Sequence, residues 1–301
     1  MEFHQLRYFV AAAEEGSISR AASKLHLSQP ALSRQIFLLE EELRVKLFER
    51  VKQRIVLNDA GRFFLNKAKH ILRTAELSRR QVAEHFGVQS KQWRLGCISP
   101  LIDDLVIPVV KELKHRQPQA SVTIFDLTPR EQIERLKSGE LDLAILGNMA
   151  AEDRLDVSVK KLCRQPMNAV LPDEHRLSKR KSIKLVELRD EAWISLAETF
   201  FPNRRTFFIN GCDAAGFTPT MVSEEDSIPA MFVAIAMGHG VGLLPAHAKK
   251  ISHHGCRFIP ISTPVIHTEL LLLTQKSPQP VALSQLVELI EQRAKILLEN
   301  G

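Results

Sequence analysis

The sequence has little of several features that mark whole classes of protein. It holds only four cysteines, which form no CxxC pair and lie far apart, at Cys97, Cys163, Cys212 and Cys256. This spacing argues against a disulfide scaffold and favours a reducing cytosol. No apolar run reaches the roughly 18 residues of a membrane span, and the first residues lack the apolar core of a signal peptide. We therefore expect a cytoplasmic protein without a membrane partner.

Catalytic motifs are also missing. The sequence contains no GxSxG, Walker-type loop or HExxH, so we expect no enzyme activity, catalytic residue, metal or other cofactor. The run His253-His254-Gly255-Cys256 is the one ligand-like cluster, but neighbours in a turn rarely close a tetrahedral zinc site. Redox switching by Cys163, Cys212 or Cys256 stays open as an alternative without a supporting pattern.

The remaining composition is that of an ordinary globular protein. With 301 residues, 45% of them hydrophobic, the chain is long enough for two or three modest domains. Its formal net charge of +6 favours polyanionic partners.

Residues 18–43 form the most informative stretch. Apolar residues recur at helical spacing in two short runs, which the turn His26-Leu27-Ser28 joins, and the small pair Ala21-Ala22 allows close helix crossing. Ser17 and Ser28 are expected to cap the first and second helices, and Asn58 the long helix that begins at residue 59. The residues predicted to face outward there are Gln29, Pro30, Ser33, Arg34 and Phe37. Because Gln, Ser and Arg side chains suit base edges, this face is typical of DNA reading; a solvated bundle face is the alternative.

Residues 43–57 are predicted to form a short β-wing. Its tip carries Arg50, Lys52, Gln53 and Arg54, a cluster that suits phosphates or a narrow minor groove. The alternative is a solvated turn.

The flanking sequence strengthens the DNA-binding interpretation. The pattern AAxxLHxSQPALSRQIxxLExxLxxxLFER over residues 21–50 closely resembles the winged helix-turn-helix of LysR-type transcriptional regulators. Two positions depart from that family: Gln53-Arg54 replaces the usual Arg-Gly, and Phe37 stands where a basic residue is common. These departures leave the operator sequence open.

A long helix is predicted from residue 59 to about residue 86. Its apolar positions step by three and four through Phe64, Ala68, Ile71, Ala75, Val82 and Phe86. This seam suits pairing with a second copy, as the resemblance implies for the linker helix, and the alternative is packing on its own core. The expected divisions are a DNA-binding domain 1–58, a linker helix 59–87, a hinge 88–91 and a regulatory domain 92–301.

Beyond the hinge, strands and helices alternate, which predicts a largely parallel α/β sheet covered on both faces. The resemblance implies two lobes similar to periplasmic solute-binding proteins. Lobe I comprises about residues 92–162 and 266–301, and lobe II about 163–265. The segment Gly238–Pro245 matches the family's glycine segment and is expected to pack tightly near the cleft.

An effector is expected beyond the carboxyl ends of the strands. Ser99-Pro100 and Thr128 precede predicted helices, whose N-termini favour an anion such as a carboxylate, although simple N-caps are the alternative. Phe200, Phe201 and Pro202 align with the family's second ligand loop and either line a pocket or belong to the core. The next two arginines, Arg204 and Arg205, suit a carboxylate but more often face water.

The prediction is a ligand-responsive, DNA-binding transcriptional regulator that senses a small anionic metabolite. The resemblance implies a homodimer through the linker helix, a homotetramer and contact with RNA polymerase. The alternatives are an enzyme or a solute-binding-like protein with an incidental helix-turn-helix.

Overall fold

The computed structural model describes residues 1–51, 54–85, 92–276 and 281–299. The chain divides into two compact units, Met1–Gln89 and Ser90–Gly301. The predicted hinge at 88–91 lies outside the described ranges. The same holds for Phe86 of the predicted seam and for the wing-tip residues Lys52 and Gln53. Within the described ranges, no helix combines the length and apolar character needed to cross a membrane.

The N-terminal unit is a winged helix-turn-helix followed by a long helix, as predicted. Its elements are α1 (Phe3–Glu15), α2 (Ile18–Lys24), α3 (Gln29–Leu43), β1 (Phe48–Val51), β2 (Arg54–Leu57) and α4 (Asp59–His85). Strands β1 and β2 pair antiparallel as the wing.

Local capping signals set the helix ends. Ser17 accepts the Arg20 amide and Ser28 accepts the Ala31 amide, each at 3.4 Å, so both predicted caps are confirmed. Asn58 Oδ1 accepts the Gly61 amide at 2.8 Å at the start of α4. Helix α1 ends at Gly16, whose φ of 57° is the left-handed conformation that glycine adopts without strain.

The first half of α4 packs on the core of its own unit. Ala68 is fully buried, Phe64 and Ile71 are partly buried against the same cluster, and the Phe64 ring centroid lies 5.2 Å from that of Phe9. These three positions therefore follow the alternative, packing on the core of their own unit, because the same spacing suits a dimer seam and an intramolecular core. The pairing of α4 with a second copy stays a prediction. Val82, a later position of the predicted seam, is exposed at 59%, and Phe63 is exposed at 68%.

The second unit alternates strands and helices. Its lobe I elements are β3 (Gln92–Cys97), α5 (Ile107–Arg116), β4 (Ser121–Asp126), α6 (Pro129–Ser138), β5 (Leu143–Leu146), β12 (His267–Gln275) and α9 (Val281–Glu299). Lobe II contains β7 (Ile183–Lys184), β8 (Ala192–Leu196), α7 (Arg204–Asp213), β9 (Thr220–Glu225), α8 (Ile228–Ala236), β10 (Gly242–Pro245) and β11 (Cys256–Thr263). Strand β6 (Val157–Pro172) runs from one lobe into the other.

The main sheet is mixed rather than largely parallel. Its order is β4-β3-β5-β12-β6-β11-β7, with β10 also on β6. Strands β4, β3 and β5 are parallel, but β12 is antiparallel to β5 and β6. The antiparallel pairs arise because β12 returns from lobe II without the helical crossover that parallel pairing requires.

Strand β6 changes partners along its length. Residues 157–166 pair with β12, and residues 167–172 pair with β10 and β11. At the change, the Met167 amide donates to the Ile266 carbonyl at 2.8 Å, so the two segments that cross between the lobes are bonded to each other.

The helical segment between β3 and β4 is irregular in its first half. Ser99–Leu101 forms a 3-10 turn, Ile102–Val106 is π-helical, and α5 begins at Ile107. Pro108 has no amide hydrogen, so the α-helical bond to the Asp104 carbonyl cannot form there.

Separate cores hold the lobes together. In lobe I, α5 and α9 cover one face of the sheet with Leu113 and Ile290, and α6 covers the other with Leu136. Lobe II is built around Trp193 and Phe208 on one side and Phe232 on the other. Both faces of the sheet are thus covered, as predicted.

Candidate DNA-binding surface and effector cavity

Helix α3 separates a core face from an exposed face. Leu32 and Leu39 are fully buried and Ile36 nearly so. The residues predicted to meet DNA are all exposed: Ser28, Gln29, Pro30, Ser33, Arg34 and Phe37. The apolar spacing of α3 thus places the predicted reading residues on the side that remains accessible to a partner.

The exposed α3 face combines hydrogen-bonding groups, a positive charge and an aromatic ring. Gln29 Oε1 accepts from the Ser19 hydroxyl at 2.9 Å, which orients the amide. Arg34 has no acidic partner among the described residues. Phe37 is 51% exposed, and the Lys46 ammonium lies 4.9 Å from its ring centroid. A cation therefore stands beside the position where this chain has lost the family's usual basic residue.

The wing presents a further basic residue. Arg54 is exposed at the start of β2 and has no acidic partner within the described part of the chain. Arg50 pairs with Ile55 in the backbone register, but its side chain, like Lys52 and Gln53, lies outside the described positions. Arg54 is thus the described wing residue with a charge available to phosphate.

A buried carboxylate that sequence reasoning missed fixes the wing to α3. Glu40 is 8% exposed, and its Oε1 accepts the Leu47 amide at 2.8 Å and the Phe48 amide at 3.3 Å. Its Oε2 pairs with the Lys46 ammonium at 3.0 Å. Nothing in the local pattern separates Glu40 from its exposed neighbours Glu41 and Glu42.

A cavity of about 60 Å³ lies between the two lobes of the regulatory unit. Lobe I contributes Ile98, Pro129, Gly147, Asn148, Thr268, Glu269 and Leu270 to its lining. Lobe II contributes Leu196, Phe201, Pro202, Arg204, Ile228, Leu244, Pro245 and His247. The cavity lies where the strand-end rule predicts a ligand, and most of its wall is apolar.

The predicted effector residues fall into two groups. Phe201 and Pro202 line the cavity, whereas Ser99, Pro100, Thr128 and Phe200 are not part of its lining. The structure therefore brings together only part of the predicted set.

The predicted residues outside the lining have contacts of their own. Ser99 is not the N-cap of its turn, since its hydroxyl donates to the Asp126 carboxylate. Thr128 caps α6 in a capping box with Glu131, whose Oε2 accepts the Thr128 amide at 2.9 Å. The Phe200 carbonyl accepts the Arg130 amide at 3.0 Å and so joins the lobes.

The two arginines that follow this loop differ sharply. Arg205 is exposed but Arg204 is only 9% exposed, so the interpretation that these arginines face water holds for Arg205 and not for Arg204. Arg204 enters the cavity wall because it begins α7 on the inner side, where Nη2 donates to the Leu243 carbonyl. Burial lowers the pKa of Arg204 to about 10, which leaves it charged at neutral pH.

Sequence reasoning also missed His247. This residue follows β10, so the strand-end rule that selected Ser99 and Thr128 was the available signal. Burial and the charge of Arg204 lower the pKa of His247 to about 4. The imidazole is therefore neutral at physiological pH.

The segment near His253 is occupied by structural contacts. His253 Nδ1 donates to the Ile251 carbonyl at 2.6 Å, and its ring packs against Phe232 and Phe258. The Cys256 thiol donates to the Phe232 carbonyl at 3.3 Å.

Comparisons with known proteins agree with this architecture. The model of the bacterial regulatory helix-turn-helix protein, lysR family, matches residues 3–62, and that of the LysR substrate binding domain matches residues 87–295. The chain is similar to the HTH-type transcriptional regulator AlsR of Bacillus subtilis (strain 168), with 31% identity over 255 residues, which are 83% of this chain and 82% of AlsR. The chain belongs to the LysR family of transcriptional regulators.

Solved LysR structures extend the similarity over the whole chain. The crystal structure of CbnR, a LysR family transcriptional regulator, matches with a TM-score of 0.74 and 25% identity over 98% of this chain and 99% of CbnR. Full-length CbnR complexed with its target DNA matches with a TM-score of 0.73 and 25% identity over 97% of this chain and 100% of CbnR. This LysR regulator is a DNA-binding protein with a substrate-binding domain, as the sequence predicts.

Proposed function

We propose that this LysR regulator reads its operator with α3 and anchors itself to phosphates with the wing. The observation that carries this is the exposed face of α3, where Gln29, Ser33 and Arg34 stand clear of the core. Ser28, Pro30 and Phe37 complete the surface at its ends, and Arg50, Lys52, Gln53 and Arg54 supply the phosphate contacts of the wing. Base contacts then carry specificity, and phosphate contacts carry affinity that depends on salt.

The test is fluorescence anisotropy with the DNA upstream of the coding region, after a gel shift with competitor DNA has located the site. Gln29→Ala and Ser33→Ala should each reduce discrimination against random DNA by roughly 1 to 3 kcal/mol. Arg54→Ala should weaken all sequences alike and reduce the salt slope by about one. Ser78→Ala, an exposed serine on α4, is the control. Identical behaviour of the Gln29 and Arg54 variants would contradict this division of roles.

The proposal includes a homodimer formed through α4. Two exposed apolar side chains of α4 support pairing: Val82, a position of the predicted seam beyond the part that packs on its own core, and Phe63. Two paired chains would place two reading helices on neighbouring half-sites. A homotetramer, cytoplasmic location and contact with RNA polymerase complete the proposal through the family resemblance.

Sedimentation velocity tests the pairing. Val82→Glu should shift the protein toward the monomer, because burying an unpaired carboxylate in an apolar interface is costly. Leu155→Glu, an exposed position of the regulatory unit, is the matched control and should leave the assembly unchanged. A dimer of unchanged strength in Val82→Glu would argue against α4 as the pairing element.

We also propose that a small anionic metabolite binds in the cavity between the lobes and shifts their arrangement. Phe201 and Pro202 would contact it, and Ser99, Pro100 and Thr128 would act from the neighbouring helix N-termini. Thermal-shift screening with a metabolite panel should find a stabilising ligand whose effect disappears in Gly147→Val. A Cβ at Gly147 meets its nearest atom at 3.7 Å, so the substitution reduces the cavity without a backbone clash. Hits that bind equally well to this variant would place the effector elsewhere.

A further inference from the structure

Two residues that line the cavity between the lobes each have a buried polar atom without a partner. These are Arg204 Nε and His247 Nδ1, both inaccessible to solvent and without a hydrogen bond within the described structure. Buried polar atoms are normally satisfied, and each unsatisfied one costs free energy of folding. Two residues with such atoms in the lining of one cavity indicate a ligand-binding site.

Arg204 is a buried cation without a counter-ion. Its side chain is held by the Leu243 carbonyl, and its guanidinium carbon lies 5.9 Å from the Phe207 ring centroid. No carboxylate among the described residues pairs with it, and burial alone accounts for its lowered pKa. An isolated buried charge is among the most costly features of a protein interior unless a ligand of opposite charge joins it.

His247 adds a second donor on the same wall. Because its imidazole is neutral at physiological pH, one tautomer places the hydrogen on Nδ1. A carboxylate that reaches both residues could then accept from the Arg204 guanidinium and from the His247 imidazole. Such charge-assisted bonds are stronger than bonds between neutral partners.

The rest of the wall limits the guest to a small, mainly apolar molecule. Ile98, Leu196, Ile228, Leu244 and Leu270 offer no hydrogen bonds from their side chains. A volume of about 60 Å³ is small beside the roughly 300 to 1,000 Å³ of sites for drug-sized ligands, so the cavity suits a small molecule.

A second negative charge on the guest would be repelled. Glu269 also lines the cavity, and its hydrogen bond to Lys161 lowers the pKa of its carboxyl, which therefore stays ionised. Because Lys161 is already paired with Glu269, this part of the lining offers a second carboxylate no counter-charge and favours a guest with one negative charge.

We infer that the cavity binds a short-chain monocarboxylate, whose carboxylate accepts hydrogen bonds from Arg204 Nε and His247 Nδ1 while its alkyl chain lies against the apolar wall. This inference rests on the proposed effector role of the cavity and names the chemical class of the effector. It assigns recognition of the charge to lobe II rather than to Ser99 and Thr128.

The experiment is isothermal titration of the full-length protein at neutral pH and constant ionic strength. The probes are straight-chain monocarboxylates from acetate to hexanoate, the matching primary amides and inorganic phosphate. The best carboxylate should bind about 10- to 100-fold more tightly than its amide, because the amide lacks the charge. Phosphate should bind at least about 10-fold more weakly than the best carboxylate, since the apolar wall cannot solvate its second charge.

Matched variants assign the site. Arg204→Met should lose about 10- to 100-fold in carboxylate affinity, whereas Arg205→Met, which removes the adjacent exposed arginine, should bind like the parent protein. Arg204→Met is expected to fold, because replacing a buried charge by an apolar group of similar length removes a desolvation cost. A thermal melt without ligand checks this. His247→Leu should weaken binding by a smaller factor, and His247→Asn, which restores an N–H near Nδ1, should recover it.

The outcomes separate the inference from the broader proposal. If amides bind as tightly as carboxylates and lose their affinity in Gly147→Val, the cavity remains the effector site but the monocarboxylate assignment is overturned. Equal carboxylate affinity in Arg204→Met and Arg205→Met overturns it as well, as does phosphate binding that matches the best carboxylate. If no carboxylate binds at millimolar concentration, the assignment also fails, and only the metabolite panel then decides whether the cavity holds an effector.

Discussion

The reading surface on α3 and the cavity between the lobes differ in how their polar side chains are exposed to water. On α3, the polar side chains Gln29, Ser33 and Arg34 are exposed, and the core beneath them is satisfied without DNA. In the cavity, Arg204 and His247 are withdrawn from water, and their free donor atoms have no partner. The first site costs the fold little, whereas the second lowers the stability of the empty protein.

This difference indicates how each site gains specificity. Exposed side chains are solvated before binding, so discrimination comes from exchanging water for matching base edges. Buried donors have already lost their water. A ligand that accepts their hydrogen bonds therefore gains the full free energy of those bonds, and a ligand that cannot accept them binds much more weakly. Changes in the tightly packed parts of the N-terminal unit should therefore act on stability, and changes in the cavity on stability and ligand binding together.

The largest effect is expected at Gly61 in α4. A Cβ there would lie 2.1 Å from the Leu47 carbonyl oxygen, whereas a Cβ at Gly147 meets nothing closer than 3.7 Å. Although Gly→Ala in a helix usually stabilises, Gly61→Ala should cost about 3 to 4 kcal/mol, and Gly147→Ala should be nearly neutral. Urea unfolding followed by far-UV circular dichroism measures both. Equal stability of the two variants would show that α4 and the wing pack no more tightly than the cavity wall.

The next effect is an acid dependence that arises in the cavity. The pKa of His247 is lowered from 6.5 to about 4. Between pH 6.5 and pH 4 the unfolded chain therefore binds a proton at this residue and the folded chain does not. Stability should fall as the pH falls from about 6.5 to 4, by about 2 to 3 kcal/mol in total from this group. His247→Leu should flatten that part of the pH–stability curve, with His254→Leu as the control. An unchanged slope in His247→Leu would assign the acid sensitivity to other groups.

A smaller effect is expected at Glu40, the buried carboxylate of the N-terminal unit. Glu40→Ala leaves the Leu47 and Phe48 amides without their acceptor, at an expected cost of about 2 kcal/mol. Glu40→Gln keeps an acceptor oxygen and should lose about half as much. The exposed neighbour changed in Glu41→Ala is the control for thermal melts of all three variants. A melting temperature of Glu40→Ala equal to that of the control would mean that the wing does not depend on this carboxylate.

The smallest effect is expected at the cysteines. All four thiols are buried, and burial raises the pKa of Cys97 and Cys212 to about 12 and that of Cys256 to about 11. Since the thiolate is the reactive form, iodoacetamide at neutral pH should modify the native protein far more slowly than the urea-unfolded chain. Mild oxidation should change DNA affinity less than about 2-fold. Rapid alkylation of Cys163 in the native protein would reopen the redox alternative.

The parts of the fold that local chemistry decides could be predicted from the sequence. Ser17, Ser28 and Asn58 cap helices where they were expected to, because a cap needs only a side-chain oxygen and an amide three residues on. The exposed face of α3 was predictable for the same reason, since helical periodicity alone fixes it.

Features that depend on distant segments were not predictable in this way. The spacing of Phe64, Ala68 and Ile71 suits a dimer seam and an intramolecular core equally, and only packing against Phe9 decides between them. Arg204 and Arg205 look alike in the sequence, and the position of β10 makes one of them buried. The lowered pKa of His247 arises from its burial and from the charge of Arg204, which is 43 positions away in the sequence.

The bonded crossing of β6 and the segment before β12 has a mechanical consequence. Because the Met167 amide donates to the Ile266 carbonyl, the two segments that connect the lobes form one hydrogen-bonded pair rather than two independent connections. We expect two bonded segments to slide past each other less easily than they twist, so that one lobe can rotate against the other while the strand pairing on either side persists. Under the proposed effector binding, a guest between the lobes would act on this rotation, and occupancy of the cavity would change the angle between the lobes.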